Sequence, residues 1–512
     1  MSRWMLPLLL ALASPAWASK GAGVALPSLP SSYAQAPAGQ VDERAWWTSL
    51  GEPRLEALID EALSANLDLQ VASDRILQAR ALALTAGAAL MPQVTFDMGI
   101  NAQPAALRFA QFTGGVADDD TGEFYYFTSA TFNAALPIDL TGQSILGVQA
   151  ATSDRRAAEE DRARSASALA SSVAAAWLDV GLATSQVELV ERQLRANRDV
   201  LTVVELRLER GEATAVDVLQ QRQQVAASEA QLPLLRANLT ARTQALAVLL
   251  GRLPGEAPAD LPTHLPELPS APGVGAPSDL VDNRPDLRAM DLRLTSAWRR
   301  RLAAERAFLP TLRLTANAGW NFTNNAGAGA FGGGSTDQIL GLFTQLEGFV
   351  KQFDPNFAFD TTGFDQGTTD AGFQSWFTWG IGAQLQIPLF VGGRIGGLKQ
   401  ARAAERIAAH QAAQARLAAV QQVESSWTLD REQAARLDAV RTQATAADGA
   451  YEAAAARYAD GVGDYLQVLT TLVTRQAVAL SALQAHRDAL ATRIQLHEAT
   501  GGPWTRSLGG TP

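Results

Sequence analysis

The chain runs to 512 residues, carries a formal net charge of −10 and contains no cysteine. The acidic balance argues against nucleic-acid binding. The missing cysteines exclude disulfides, thiolate metal sites, a cysteine nucleophile and a lipid carried on an N-terminal cysteine.

Residues 1–18 read as a secretory signal peptide. Arg3 gives a positive start, Met5 to Leu12 form a short apolar core, and Ala16-Trp17-Ala18 is a small-x-small cleavage site. The mature chain is therefore expected to begin at Ser19. A membrane anchor is the alternative, but the apolar run is too short for about 30 Å of hydrocarbon. Beyond it no stretch offers about 20 consecutive apolar residues, so no transmembrane helix is expected. A β-barrel stays open, because its strands give a much weaker hydropathy signal.

An N-terminal extended segment (19–52) leads into an internal duplication. Asn66-Leu67-Asp68-Leu69 returns as Arg284-Pro285-Asp286-Leu287, and the helix-like stretches that follow stop at Pro92 and Pro310. Both pairs are offset by 286 − 68 = 310 − 92 = 218. Further on, Trp177 matches Trp427, Gly211 matches Gly461 and Gly251 matches Gly501, all at 250. The copies therefore span 53–251 and 277–501, with a Pro/Gly-rich linker at 252–276 and a tail at 502–512. The larger offset marks an insertion between Pro310 and Pro388, rich in Gly, Phe, Asn and Thr.

Each copy follows one plan. A medium helix (53–90 and 277–309) ends at proline, and a strand, a loop and a second strand follow. A very long helix (144–209 and 395–459) then reaches a glycine turn and a last helix (212–250 and 463–499). The strands alternate with period two. Val94, Phe96, Met98 and Ile100 oppose Thr95, Asp97, Gly99 and Asn101 in the first. In the second, Tyr126, Thr128, Ala130, Phe132, Ala134, Leu136 and Ile138 share one side. Leu312, Leu314, Ala316, Ala318, Trp320 and Phe322 do so in the third, and Phe377, Trp379, Ile381, Ala383, Leu385 and Ile387 in the fourth. Strands of about ten residues with one apolar face and aromatic ends fit a transmembrane barrel. A soluble sandwich is the alternative.

Four strands cannot close such a barrel, since the smallest have about eight. Strand edges left open in lipid would cost several kcal/mol per unpaired backbone group. Several copies must then pool their strands, and three give twelve. Along the first long helix Val180, Ala183, Val187, Val190, Leu194, Asn197, Leu201, Val204 and Leu208 form a heptad-like stripe. A helix of some 65 residues measures about 100 Å, which suits a duct better than a globular domain. An ordinary dimeric coiled coil is the alternative, and it does not explain why each stripe follows a strand.

No catalytic pattern appears. His264, His410, His486 and His497 are scattered without metal-ligand spacing, and no P-loop, dinucleotide fingerprint or Ser-His-Asp order is present. The glycines Gly332-Gly333-Gly334 lie inside the insertion without strand-to-helix context.

An ordered set of short motifs adds a resemblance. Trp46-Trp47 precedes Leu50-Gly51-Glu52-Pro53-Arg54-Leu55 and Leu58-Ile59. Arg284-Pro285-Asp286-Leu287-Arg288, Ala307-Phe308-Leu309-Pro310, Ile387-Pro388-Leu389-Phe390, Gly392-Gly393-Arg394 and Arg457-Tyr458 follow, then Gly461, Tyr465-Leu466 and Val468-Leu469. This text resembles the TolC-like outer membrane factor (outer membrane efflux protein) family, in its NodT-like branch, over nearly the whole mature chain. The resemblance implies a mixed α and β, mostly α fold. Long antiparallel helical hairpins would form a periplasmic α-barrel, and four transmembrane strands per chain would enter a twelve-stranded barrel in a homotrimer. It implies a passive exit duct for small molecules, without enzymatic activity or cofactor. Its partners would be a periplasmic adaptor protein, an inner-membrane transporter and outer-membrane lipid, with no nucleic acid. The insertion would be an extracellular loop. A type I secretion duct, or an adaptor or scaffold built on long hairpins, is the alternative; an adaptor would carry one hairpin rather than two.

Two departures bear on the site. Many relatives carry a lipidated cysteine after the signal, which this chain lacks. Relatives also often place carboxylates six and nine residues after the glycine of the second hairpin turn, where this chain has Gln467 and Thr470. Asp217 stands six residues after Gly211, and Asp464 lies near Gly461. With Arg457 and Tyr458, these four positions are the candidate periplasmic gate. Gly211, Glu212, Gly461, Val462 and Gly463 are the candidate adaptor-contact tips; the plainer reading of the glycines is a left-handed helix cap.

Overall fold

The computed structural model describes residues 28–37, 39, 41, 44–104, 124–256, 258, 260–324, 373–388 and 392–508. The expected signal peptide (1–18) lies outside these residues, as does the middle of the insertion between Pro310 and Pro388, residues 325–372, expected to be an extracellular loop. The chain divides into two compact units, residues 1–85, 146–305 and 393–512 forming one and residues 86–145 and 306–392 the other.

The first unit is helical. Proline is well suited to the first helical position, where its missing N–H has no partner to lose. Pro53 opens α1 (Pro53–Ala65) in this way. The single medium helix expected over 53–90 is in fact two, because Asn66 breaks it. Its backbone is extended (ψ 129°), and its side-chain oxygen accepts from the N–H groups of Asp68 (2.9 Å) and Leu69 (3.2 Å). Asn66 thereby caps the start of α2 (Leu67–Ala88).

The long helix α3 (Gln143–Glu209) and α4 (Ala215–Leu249) make the first hairpin. In the second copy the expected helix over 277–309 is also split, into a turn at Pro277–Asp279, a short α5 (Leu280–Asn283) and α6 (Pro285–Arg306). Pro285 keeps the preceding Arg284 out of helical geometry (φ −101°, ψ 120°). The guanidinium of Arg284 then ties the break to Asp286 (2.8 Å) and to the Ala499 carbonyl (2.9 Å). The second hairpin is α7 (Gly392–Ala459) with α8 (Tyr465–Thr500), and α9 (Thr505–Leu508) closes the chain. Both last helices begin later than expected, at 215 and 465, because capping residues hold the preceding turn extended.

In the predicted stripe on α3, Val180, Ala183, Val190, Leu194, Asn197 and Val204 are buried, Val187 and Leu201 half-buried, and Leu208 at the tip exposed. A tryptophan-rich core gathers Trp46, Trp47, Trp177 and Trp504 with Leu55, Ile59, Leu178, Leu246 and Leu490. A 3₁₀ turn (Trp46–Leu50) delivers the first two, so the end of the N-terminal segment is docked. The linker is fixed by a buried ion pair: Arg493 bonds Asp430 at 2.8 Å and also donates to the Pro269 carbonyl. Among the described residues, two helices contain a window apolar enough to cross a membrane, α3 (mean hydropathy 1.4) and α8 (1.3). Both belong to the coiled hairpins, and Arg475, Arg487, Asp488 and Arg493 interrupt α8.

The second unit is one antiparallel sheet in the order β1 (Gln93–Pro104), β2 (Phe124–Ile138), β3 (Thr311–Asn324), β4 (Phe373–Gln386). Directly paired residues in such a sheet share a face. The register pairs Phe96 with Phe132, Ala130 with Trp320, Trp320 with Phe377, and Ala318 with Trp379. All four apolar stripes therefore fall on one side of the sheet. Val94, Met98, Ile100, Trp379 and Ile381 are exposed there. The opposite side carries Thr95, Asp97 and Asn133, where Asp97 accepts from Asn133 at 2.9 Å and from Thr95 at 3.0 Å. Phe127 and Trp376 depart from the alternation by placing rings on this polar side, 6.2 Å apart. β1 and β4 each have a neighbour on one side only, among the described residues.

Candidate functional site

The two hairpin tips are built alike, and glycine is the reason. Gly211 and Gly461 adopt φ of 76° and 74°, a left-handed conformation that costs a residue with a Cβ about 1–2 kcal/mol. The following N–H then turns back onto the helix end: Glu212 donates to the Arg207 carbonyl (2.8 Å), and Val462 to the Arg457 carbonyl (3.0 Å). This is the hydrogen-bonded glycine cap of a helix C-terminus. Gly463 is needed for a different reason. A Cβ there would stand 2.8 Å from the Tyr458 nitrogen and 3.0 Å from the Arg457 carbonyl carbon, both backbone atoms.

The acids of the site are helix caps. Thr214 and Asp217 form a reciprocal capping box: the Asp217 carboxylate accepts from the Thr214 N–H at 2.8 Å, and Thr214 Oγ1 from the Asp217 N–H at 3.3 Å. Asp464 caps α8 by accepting from the Leu466 N–H at 3.2 Å. Negative charge at a helix start is favourable, so both carboxylates stabilise the turns that carry them. Asp464 is exposed and Asp217 half-buried. Gln467 and Thr470 are exposed on the first turns of α8, and the Thr470 hydroxyl donates to its own helix at the Leu466 carbonyl (2.8 Å).

The residue that joins the tips within the chain is Arg207, which the sequence reading did not single out. Its guanidinium donates to the carbonyls of Tyr458 (2.8 Å) and Ala459 (3.0 Å), the last of α7. It lies over the Tyr458 ring at 4.3 Å and approaches Glu212 at 4.0 Å. A cation at these carbonyls offsets the negative end of the helix dipole. The available signal was the offset of 250, which equates Arg207 with Arg457. The Arg457 side chain is exposed and bonds nothing among the described residues, where the buried Tyr458 hydroxyl also has no partner.

Behind the tips lies a buried polar cluster. Asn197 donates to Ser228 (2.9 Å) and accepts from Gln476 (2.8 Å), while its carbonyl accepts from Gln221 (2.7 Å). Gln224 donates to Gln476 (2.9 Å), and the Tyr465 hydroxyl donates to Gln221 (2.7 Å). Burial pushes the Tyr465 hydroxyl pKa up, with the charge of nearby Asp217 adding to it. Asn197 is the polar position of the α3 stripe, so the stripe was legible but its partners on α4 and α8 were not. No cluster of three or more potential metal-binding side chains occurs among the described residues.

Comparison with known proteins gives this arrangement its context. The profile described as "Outer membrane efflux protein" matches residues 58–252 and 276–502, breaking where the linker lies. The pyoverdine export outer membrane protein OpmQ of Pseudomonas aeruginosa is 29% identical over 94% of this chain and 92% of its own length. The toluene efflux pump outer membrane protein TtgF of Pseudomonas putida is 26% identical over 90% of this chain and 85% of its own. The solved outer-membrane channel OprN shares the fold at a TM-score of 0.74 and 21% identity, covering 94% of this chain and 98% of that one. A duplicated chain of two long hairpins and four one-faced strands, matched over both copies, belongs to the outer membrane efflux protein family and is an efflux channel subunit of the outer membrane.

Proposed function

We propose that three copies assemble into a passive exit duct that performs no chemistry. The observation that carries this reading is the sheet, which has one apolar face, one polar face and two open edges. Joining β4 of one copy to β1 of the next satisfies both edges, faces the apolar side to lipid and gives twelve strands around a polar lumen. The cargo class is small molecules such as drugs and toxic compounds, supported by relatives named for pyoverdine and toluene. The hairpin tips, with Gly211, Glu212, Gly461, Val462 and Gly463 at their ends, dock a periplasmic adaptor that couples the duct to an inner-membrane transporter.

The same tips form the gate. Arg457 occupies in the second copy the place of Arg207 in the first, so it reaches the Leu208 and Glu209 carbonyls of the next copy as Arg207 reaches those of Tyr458 and Ala459. Asp217 and Asp464, brought together in threes, raise the negative potential at the mouth and favour cations. Gln467 and Thr470 line it without charge.

Two measurements test this. Detergent-extracted protein should have the mass of three chains once bound detergent is subtracted; a monomer soluble without detergent contradicts the assembly. Asp217→Asn with Asp464→Asn keeps an acceptor at each cap and removes the charge. Cation preference in planar-bilayer conductance at low salt should then fall, and an unchanged preference removes both acids from the gate.

A further inference from the structure

The middle of the sheet's polar side is built from short side chains. Thr131, Thr315 and Thr378 stand there with Gly319, Gly380 and Gly382, packed so closely that a Cβ on Gly380 would lie 2.8 Å from the Asn317 amide oxygen. Longer side chains gather at the two ends. Arg313 and Gln384 are paired at the end that leads into the helices. At the end beside the loops that join β1 to β2 and β3 to β4, Phe127 and Trp376 are the two aromatic rings on this side, among the described side chains.

These rings are arranged across a strand. β2 and β4 are two strand spacings apart, about 10 Å, yet the ring centroids are 6.2 Å apart with the planes at 48°. Both rings therefore lean over β3, where Asn321, the register partner of Trp376, donates to Thr378 at 3.2 Å. Phe127 is half-buried and Trp376 is 42% exposed. A ring pair that only stiffened the sheet would be better placed on the apolar side, where Trp320 and Phe377 meet at 4.6 Å. Neither another copy nor lipid can cover Phe127 and Trp376. A neighbouring copy adds strands within the plane of the sheet, and lipid meets the sheet's other side. A solute in transit is what reaches them.

The face of an aromatic ring carries the negative end of its quadrupole, so flat rings stack on it at an offset and cations settle over it. Asp97 adds charge on the same side. It is paired with Thr131, four residues along β2 from Phe127 and so about 13 Å away. Its carboxylate is hydrogen-bonded to the neutral groups of Thr95 and Asn133, which leaves its charge to attract the same cations.

We propose that Phe127 and Trp376 form a contact site for flat aromatic solutes, cationic ones above all, on the lumen wall at the loop end of the strands. Three copies repeat it around the duct. This rests on the barrel reading above and names the cargo chemistry that the wall retains.

The test compares two blockers of equal charge in planar-bilayer recordings at low salt: phenyltrimethylammonium, which carries a ring, and tetraethylammonium, which does not. The quantity read is the concentration of each that gives half of its maximal current reduction. Trp376→Leu keeps an apolar side chain and removes the ring face, whereas Trp376→Phe keeps a ring. Trp376→Leu should raise the value for phenyltrimethylammonium about 2- to 5-fold and leave that for tetraethylammonium unchanged, while Trp376→Phe stays near the parent. Phe127→Leu removes the other ring and should act in the same direction; it carries the test if Trp376→Leu does not assemble. The proposal is overturned if a Leu variant shifts both blockers alike or neither, or if Trp376→Phe and Trp376→Leu behave alike. The missing native cysteines allow the orientation to be read separately. In lipid vesicles a charged thiol reagent should label Trp376→Cys quickly and its lipid-facing neighbour Phe377→Cys slowly. Equal labelling of the two overturns the barrel reading, and this site with it.

Discussion

Removing one oxygen atom tests the polar cluster quantitatively. Tyr465→Phe deletes only the hydroxyl that donates to Gln221 at 2.7 Å, in a site where Tyr465 is 3% exposed and Gln221 fully buried. The ring stays, so no cavity of consequence forms. What remains is a buried amide oxygen without its donor, and such an orphan costs roughly 1–3 kcal/mol. Gln221 still donates to the Asn197 carbonyl, so its amide cannot simply turn over without breaking a second bond. Replacing both partners, Tyr465→Phe with Gln221→Leu, removes the orphan and should recover much of the loss, since paired apolar replacement is often nearly neutral. The assay is the thermal midpoint of the helical circular-dichroism signal for all four corners of the cycle, in one detergent. The single variant should melt a few degrees lower and the double variant closer to the parent. If the two single changes add with no coupling, the hydroxyl and the amide do not depend on each other, and the cluster does not act as a unit.

Other outcomes follow from particular residues. His486 is half-buried near Arg441, and both features hold its pKa below the usual 6.5 despite the Pro266 carbonyl and the Glu267 carboxylate. The unfolded chain then binds a proton before the folded one does, so stability present above about pH 6.5 is lost as pH falls below it; melting between pH 7 and 5 should show this slope, and His486→Phe should flatten it. Gly463→Ala should disturb the second tip more than Gly461→Ala. The first forces a Cβ into backbone, whereas the second meets nothing within 4 Å and adds only left-handed strain; limited proteolysis at the tip separates them, and equal cleavage would argue against the crowding. Gly319→Ala would bring a Cβ to 2.5 Å from the Ala130 carbonyl oxygen across the β2–β3 ladder, so the yield of detergent-resistant oligomer should drop. Exported protein should have the intact mass of a chain starting at Ser19 with no acyl addition, and an excess matching acyl chains would overturn that start.

Periodicity made the large elements legible. The offsets of 218 and 250 located both hairpins, and the alternation in all four strands anticipated a register that the sheet then satisfied face by face. The breaks at Asn66 and Arg284 were missed because a side-chain cap and a pre-proline residue outweigh a helical pattern that runs through them. The acids at the tips were legible as charges, but their capping of local N–H groups depends on turn geometry that spacing alone does not fix. Arg207 was missed for a further reason. Its partners are backbone carbonyls, present at every helix end and so without sequence identity.

The pairing of β2 with β3 also dictates an order of events during biogenesis. Ile138 lies beside Leu312, and 312 − 138 = 174 positions of chain separate them, including the whole first hairpin. Closing so long a loop is entropically slow relative to zipping β1 onto β2. The sheet cannot grow past its first two strands until β3, so much further along the chain, has reached β2. Until then the apolar face that holds Phe96, Met98 and Phe132 has no third strand beside it, which makes this interval the one most open to aggregation. A chain truncated after the first copy should aggregate rather than insert.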